Sequence, residues 1–266
     1  MNRFVLLVVL GGAWLGVIGQ AQAHDLKVFA SRLRVSEVGD WSTVYVAWGH
    51  ILPVDDLIDA EHLERYDMVP PSGKSQPLKK AGVGLQADEV ELTEAGISQV
   101  VVARRPAILT YVYDASGRRV MRRGSKTQIK EGKIDSAKRS QQFAKALIVT
   151  GSPKGQVAKP LGLPLEIVPL DPADQWRANQ ELRFQVLVQG RPAAGQTMFG
   201  TFVGFTPDDA WCYATSTDAE GVATVRVRRA GTWILKVNVQ TPAAESSRAE
   251  YDFESLNTTL VFAVEP

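Results

Sequence analysis

Cysteine is almost absent from this chain, which excludes two common ways of stabilising a secreted domain. Cys212 is the only cysteine among 266 residues, so neither an intrachain disulfide nor a thiolate metal cluster within one chain can form. Stability must therefore come from buried apolar area. Cys212 lies between Trp211 and Tyr213 in a strand-like run, and the sequence predicts a buried, inert thiol there.

Histidine is scarce as well, and the familiar catalytic motifs are missing. The three histidines are His24, His50 and His62, so most of the chain lacks the base that a serine triad needs. The sequence contains no G-x-S-x-G, H-E-x-x-H, Walker or dinucleotide-binding motif. We interpret His62, which has glutamates nearby, as an ordinary surface residue. A binding protein is expected, and not an enzyme.

An overall excess of one charge is also absent. The 30 basic and 29 acidic side chains give a net charge of +1, so no overall field recruits nucleic acid, and we expect no such partner. Basic residues are nevertheless concentrated between residues 118 and 139, and such runs are mostly solvated loops or hairpins. The alternative is contact with anionic lipid or with an acidic partner surface. The stretch contains Arg118, Arg119, Arg122, Arg123, Lys126, Lys130, Lys133, Lys138 and Arg139.

The start of the chain carries a pattern that is typical of export. A short positive start precedes an apolar or glycine run over residues 4–18, and Ala21-Gln22-Ala23 supplies a small-x-small cleavage site. The run is shorter than the roughly 20 residues that cross a bilayer. We therefore predict a signal peptide over residues 1–23 and a periplasmic location. The mature chain would begin at His24 and have no stable membrane span.

The mature chain consists of predicted short strands separated by Gly, Pro and Asp turns. Strands at this spacing, with little helix between them, are typical of immunoglobulin-like sandwiches. Residues 151–164 are rich in Gly, Pro and Lys and predict a linker. We therefore predict an all-β protein with two immunoglobulin-like β-sandwich domains, residues 24–150 and residues 165–266. One short helix is expected at Asp135–Leu147, before the linker.

The first two predicted strands suggest a hairpin whose open end gathers two histidines. Strands over residues 26–35 and 42–50 flank a turn of four or five residues. Pairing of their inner ends puts His50 opposite Lys27, which is offset from His24 by about 10 Å. A mobile chain start and a small shift in register would close that gap.

His24 has a special chemistry if it is the first residue of the mature protein. Its free amine and ring Nδ1 can then close a chelate on one metal ion, and a second imidazole from His50 suits copper(II) or nickel(II). If cleavage occurs one residue earlier, the amine of Ala23, the amide nitrogen of His24 and the His24 ring can still chelate an ion. Asp25 can add an oxygen ligand. The alternative is that both histidines are ordinary solvated side chains. Further acidic candidates are Asp55, Asp56 and Asp59.

Several short motifs occur in the order found in a known family. On these motifs the chain resembles the domain-of-unknown-function 4198 family, periplasmic proteins that are often associated with nickel and cobalt uptake transporters. The resemblance covers nearly all of the mature chain. The motifs are Ala23-His24-Asp25, Trp48–Pro53, Phe143–Leu147, Gly162–Pro169, Asp218–Gly221, Gly231–Trp233 and Thr258–Phe262.

The resemblance implies a β-sandwich protein that binds or delivers a divalent transition metal, nickel or cobalt ahead of copper, to a membrane transporter of the energy-coupling type. It assigns the N-terminal-histidine role to His24 and the Gly-His role to His50. Family members often have further histidines in the second domain, and this chain has none after His62, which argues against a second site. Two alternatives remain: an interaction module of the cell envelope without metal, and a copper-binding N-terminal-histidine protein.

Overall fold

The protein is all-β, as predicted. The computed structural model describes residues 24–52, 54–206 and 210–266, and the predicted signal peptide over residues 1–23 lies outside the described residues. Within the described part there is no α-helix, and no helix there is long and apolar enough to cross a membrane. The helical turns are short 3-10 segments at Ala60–His62, Ala173–Gln175 and Glu245–Ser247.

Eighteen strands account for the regular structure of the described residues. Those of the first half are β1 Asp25–Ala30, β2 Arg34–Val35, β3 Trp41–Gly49, β4 Leu63–Val69, β5 Gln76–Pro77, β6 Ala87–Glu91, β7 Gly96–Arg104, β8 Ala107–Tyr113, β9 Arg119–Arg123 and β10 Lys133–Thr150. Those of the second half are β11 Leu165–Pro169, β12 Gln180–Val188, β13 Arg191–Pro192, β14 Thr197–Phe202, β15 Tyr213–Ser216, β16 Val222–Val227, β17 Gly231–Pro242 and β18 Phe253–Val264.

The strands form three sheets that pack in layers. The front sheet has the order β1-β3-β6, and the back sheet consists of β11, β12, β13 and β16. Between them lies the central sheet, with the order β15-β14-β17-β18-β10-β7-β4-β5, to which β2, β8 and β9 also belong. One apolar cluster joins the front and central sheets, and a second joins the central and back sheets. The protein is therefore a sandwich whose middle layer is shared.

The middle strands of the central sheet are apolar on both faces. Every residue of β7 is buried. Val100 and Val102 pack in the front cluster, whereas Ile97 and Val101 pack in the back cluster. Because successive side chains of a strand point to opposite faces, a strand that is covered on both sides needs a nearly continuous apolar run.

The helix predicted at Asp135–Leu147 is wrong. These residues lie within β10, which is hydrogen-bonded to β7, β8 and β18. Phe143 and Leu147 point to the back cluster and Ala144 points to the front cluster. The apolar residues that suggested one face of a helix belong to the two faces of a strand. Pairing along both edges of β10 overrides its weak local preference.

The two halves of the chain share the central sheet. β10 pairs in parallel with β18 over Lys138–Ala146, so strands from both sides of the predicted linker lie next to each other. Residues 151–164 contain no strand. The predicted domain boundaries, residues 24–150 and 165–266, stay a prediction, to which the structure adds that both parts contribute to one sheet.

A buried ion pair fixes the end of the linker to β10. The side chains of Lys145 and Glu166 are each 1% exposed, and Lys145 Nζ donates to Glu166 Oε1 at 2.6 Å. The carboxylate also accepts hydrogen bonds from the backbone N–H groups of residues 161–163. Desolvation lowers the pKa of Lys145, and the charge of Glu166 opposes this shift. Because each buried charge is compensated by the other, removal of either side chain alone should strongly destabilise the fold.

Replacing Lys145 by methionine is expected to lower the free energy of unfolding by about 3–5 kcal/mol, because Glu166 then keeps a buried charge without a cation. Denaturant unfolding measures this loss. The control is Arg32→Met, which removes an exposed ion pair with Asp40 (2.7 Å) and should lower stability much less, because solvent screens exposed pairs. If both variants lost the same free energy of unfolding, the conclusion that Lys145 and Glu166 depend on each other would be contradicted.

Cys212 is exposed, so the prediction of a buried thiol is wrong. The strand in this run begins at Tyr213, which leaves Cys212 just outside the regular sheet. Its Sγ donates to the carbonyl of Gly200 at 3.4 Å. Partial desolvation of the sulfur still raises the pKa of the thiol, which disfavours the reactive thiolate.

Candidate metal centre

The pairing of β1 with β3 brings His24 and His50 together. Asp25 pairs with Gly49 in the antiparallel ladder, so the two histidines occupy the next position outward. The predicted register, which put His50 opposite Lys27, is wrong by three residues. The two imidazoles lie at the same end of the hairpin, as predicted.

The error in register comes from the turn. The strand predicted over residues 26–35 is interrupted, because β1 ends at Ala30 and the following Arg34 and Val35 pair with β10 instead. The connection from β1 to β3 therefore spans residues 31–40, which is longer than the predicted loop. The longer connection shifts the pairing toward the chain start.

The rings of His24 and His50 are in contact. Their centroids are 4.9 Å apart and their planes make an angle of 86°. A ligating imidazole nitrogen lies about 2 Å from its metal, so two rings that share an ion have centroids roughly 4–6 Å apart. The side chain of His24 is 39% exposed. The separation of the two rings is therefore within the range for a shared ion.

Two further side chains border His24. The Trp48 ring lies 5.5 Å away, edge to face, and Asp56 Oδ2 lies 3.7 Å from His24 Nδ1. Asp56 N–H donates to the Trp48 carbonyl and forms an isolated bridge with it, so the chain folds back over the end of β3 after His50. Asp56 is thus held beside the ring of His24.

Asp55 positions the backbone of His50. Its Oδ2 accepts hydrogen bonds from the N–H groups of His50 at 2.9 Å and Ile51 at 3.4 Å. The hydrogen bond from His50 is the largest cause of the lowered pKa of Asp55. Gly49 has a φ of +120°, and a Cβ there would lie 2.6 Å from Asp55 Oδ2. The Gly-His motif therefore requires glycine for both its backbone conformation and its close approach.

Gly49→Ala is expected to displace Asp55 and to release the His50 amide, because the added methyl group overlaps the carboxylate. Hydrogen exchange at the His50 N–H measures the release, with protection expected to fall at least about tenfold, or 1.4 kcal/mol. Gly39→Ala is the matched control, since Gly39 has a φ of +91° but no atom lies within 4 Å of the methyl group that alanine would add there. Equal exchange at His50 in both variants would contradict this account.

Asp25 is an anchor in the structure, and its carboxylate does not join the two rings. Its side chain is 0% exposed. Oδ2 accepts from Lys236 Nζ at 2.5 Å and Oδ1 accepts from Asn257 Nδ2 at 2.9 Å. Both oxygens are therefore engaged by β17 and β18. Its ligand role stays a prediction, and we interpret Asp25 as the residue that holds the beginning of β1 in place.

The backbone around Asp25 is held by side chains as well. Gln142 on β10 donates from Nε2 to the His24 carbonyl at 2.9 Å and accepts from the Leu26 N–H at 3.0 Å. Thr259 donates to the Leu26 carbonyl at 2.7 Å. These bonds and the ion pair fix the segment that ends in His24 against the central sheet, so the first imidazole is preorganised toward the second.

The anchoring role of Asp25 predicts how Lys236→Met behaves. Removal of the lysine leaves a buried carboxylate without its cation, so the free energy of unfolding should fall by about 3–5 kcal/mol, and metal affinity should fall with it. If Asp25 were a ligand, the same variant would free an oxygen and keep or raise the affinity. Chemical denaturation and metal titration measure the two effects. Lys133→Met, at an exposed lysine on β10, is the control and should change neither.

Asp59, Glu61 and His62 form a second group of potential ligands at the 3-10 turn Ala60–His62. Their ligand atoms all lie within 4.8 Å of one another. Asp59 therefore joins His62 and not the two rings. Both carboxylates are exposed, and such groups are common on surfaces without any ion.

The family comparison covers most of the chain. The model of the family described as "Domain of unknown function (DUF4198)" matches residues 21–241. The chain belongs to the DUF4198 family. The match includes His24, His50 and the Gly49 and Asp55 that position the second ring, so the candidate centre lies in the part of this DUF4198 protein that the family shares. A search of curated proteins found no match.

Solved structures resemble the chain only distantly. The D0-D1 domain of Intimin is 14% identical and has a TM-score of 0.21, over 90% of this chain and 97% of that one. The D00-D0 domain of Intimin is 14% identical with a TM-score of 0.19, over 89% and 98%. Similarities at this level carry no argument about fold or function.

Proposed function

We propose that this DUF4198 protein binds a divalent transition metal ion in the periplasm through His24 and His50, as an accessory or chaperone for nickel or cobalt uptake. The observation that carries the proposal is the contact of the two rings, whose centroids are 4.9 Å apart. It occurs at the residue that the predicted cleavage would make the first of the mature chain.

The proposed ligand set consists of neutral nitrogen donors with one carboxylate nearby. After cleavage, the amine and ring Nδ1 of His24 chelate the ion, and the ring of His50 supplies the third nitrogen. Asp56, 3.7 Å from His24 Nδ1, can add an oxygen. Nitrogen-rich sites of this kind suit nickel(II) and copper(II). The choice of nickel or cobalt rests on the family resemblance.

The exposure of the site suits a carrier. A partly exposed ion at the end of a hairpin can pass to another protein, and we propose a membrane transporter of the energy-coupling type as the recipient. No reaction is proposed. In this account the layers are two immunoglobulin-like sandwiches that share the central sheet, and they serve as the rigid support for the centre.

Calorimetric titration of exported, purified protein with Ni(II), Co(II) and Cu(II) tests the proposal. Its first residue is identified by mass spectrometry beforehand. We expect a single site tighter than about 100 μM, or roughly −5.5 kcal/mol. Affinity should fall as the pH is lowered, because the amine and imidazoles must lose protons to bind.

Three alanine variants locate the ion. His24→Ala and His50→Ala should each weaken binding at least about tenfold, or 1.4 kcal/mol, whereas His62→Ala should leave it unchanged. Loss of binding only in His62→Ala would move the site to the acidic turn. Absence of binding to all three metals would remove the proposal. Acetylation of the His24 amine should also weaken binding, since an acetylated nitrogen can no longer chelate the ion as an amine.

A further inference from the structure

The central sheet continues past the start of β1 as an uncovered face. The Leu26 N–H is bonded to Gln142 in the middle of β10, and Val35 pairs with Thr150 at its end. β1 and β2 therefore follow the second half of β10 only. The first half of β10 extends beyond His24 together with β8 and β9, and none of its residues enters the front cluster.

The opposite face of this extension is covered by the protein itself. Ala137 and Ile108 pack with Ala243 and Tyr251 in a small apolar cluster. Asp252 accepts hydrogen bonds from Lys126 Nζ and from the Ala137 N–H. The extension is thus fixed in place, with one face buried and the other open except at Leu109, which is 8% exposed.

The open face collects basic side chains. In the ladders, Tyr113 pairs with Arg119 and also with Lys133, while Tyr111 pairs with Met121. Residues that are directly opposite project from the same face of a sheet. One row further along, Leu109 pairs with Arg123 and with Lys138. We define the basic face by Tyr113, Arg119, Met121, Arg123, Lys133 and Lys138.

The basic face combines cations with exposed apolar groups. Met121 is 50% exposed and Tyr113 is 40% exposed. Arg123 and Lys133 are exposed, and within the described part of the chain neither has an ion pair. Unpaired cations around accessible apolar side chains are the composition of a surface that meets the boundary between water and lipid.

Tyr111 organises two further cations on this face. The guanidinium of Arg119 lies 4.0 Å from the Tyr111 ring centroid, and the Lys138 ammonium lies 5.7 Å from it. Arg119 also contacts Asp135 at 2.9 Å, so its charge is partly compensated. Cation–π contacts hold the two side chains over the face without removing their charge.

Charge is segregated along the molecule. Residues 118–139 contain nine basic and two acidic side chains, hence a net charge of +7. The remaining residues contain 21 basic and 27 acidic side chains, hence a net charge of −6. A nearly neutral protein with one such basic segment turns that segment toward an anionic surface.

We propose that the basic face docks the protein on anionic phospholipid headgroups. A bilayer fits the observations better than an acidic protein, because it offers negative charge over a flat area and accepts Met121 and Tyr113 at any position without a shaped pocket. The docked protein holds the His24 end of β1 at the margin of the contact. The proposal does not depend on metal binding.

Vesicle binding by the exported protein tests this docking. We expect binding to vesicles of phosphatidylglycerol and phosphatidylcholine in equal parts, little binding to pure phosphatidylcholine, and a decrease as salt is raised. Each cation near an anionic surface changes the partition coefficient about fivefold. Arg123→Glu combined with Lys133→Glu should therefore lower binding at least about 25-fold.

The matched control reverses two exposed cations elsewhere, Lys154→Glu with Arg191→Glu. It makes the same change in net charge and should lower binding much less. Equal losses in the two double variants would overturn the proposal, because binding would then follow net charge alone. No preference for anionic vesicles would overturn it as well, and would leave an acidic protein surface as the partner that fits the face.

A label reports which surface touches the lipid. An environment-sensitive fluorophore attached through M121C, in a Cys212→Ser background, should shift to the blue on anionic vesicles. The same label attached through K154C should not shift. A shift at position 154 and none at position 121 would place the contact elsewhere and refute docking through the basic face.

Discussion

The buried contact of Asp25 with Lys236 and Asn257 is the interaction on which the candidate centre depends. In the mature chain that we propose, no residue precedes His24, so the position of its side chain must come from the residues that follow. Both oxygens of Asp25 are bound by β17 and β18, and Gln142 holds the backbone on either side. The segment around His24 and Asp25 is thus held against the central sheet.

The shared central sheet explains how this anchoring is possible. Its middle strands are covered on both faces, so partners from the first and last parts of the chain meet on β10 and β18. His50, the second proposed ligand, is positioned separately. Its backbone N–H donates to Asp55 in the loop that follows Gly49. One imidazole is therefore positioned by long-range contacts and the other by local ones. The same sheet, where β1 no longer covers it, exposes the basic face.

The fold class and the proximity of the two histidines could be predicted from the sequence, for physical reasons. Short strands with turn residues predict the all-β class, and the ends of the first two strands predict that His24 and His50 lie together. The role of Asp25 could not be predicted, since its partners lie 211 and 232 residues away. The helix predicted at Asp135–Leu147 failed because burial on both faces of a strand removes the two-residue alternation that identifies strands. The predicted register of β1 and β3 was wrong because the local sequence pattern does not show that the chain leaves the front sheet after β1 and pairs with β10.

X-ray absorption at the nickel edge of the loaded, exported protein tests the central claim most directly, because it reports the atoms bound to the ion. The account predicts a first shell dominated by nitrogen, with the multiple-scattering signature of two imidazoles that falls to one in His50→Ala. A shell of oxygen alone, or a spectrum that His50→Ala leaves unchanged, would contradict it.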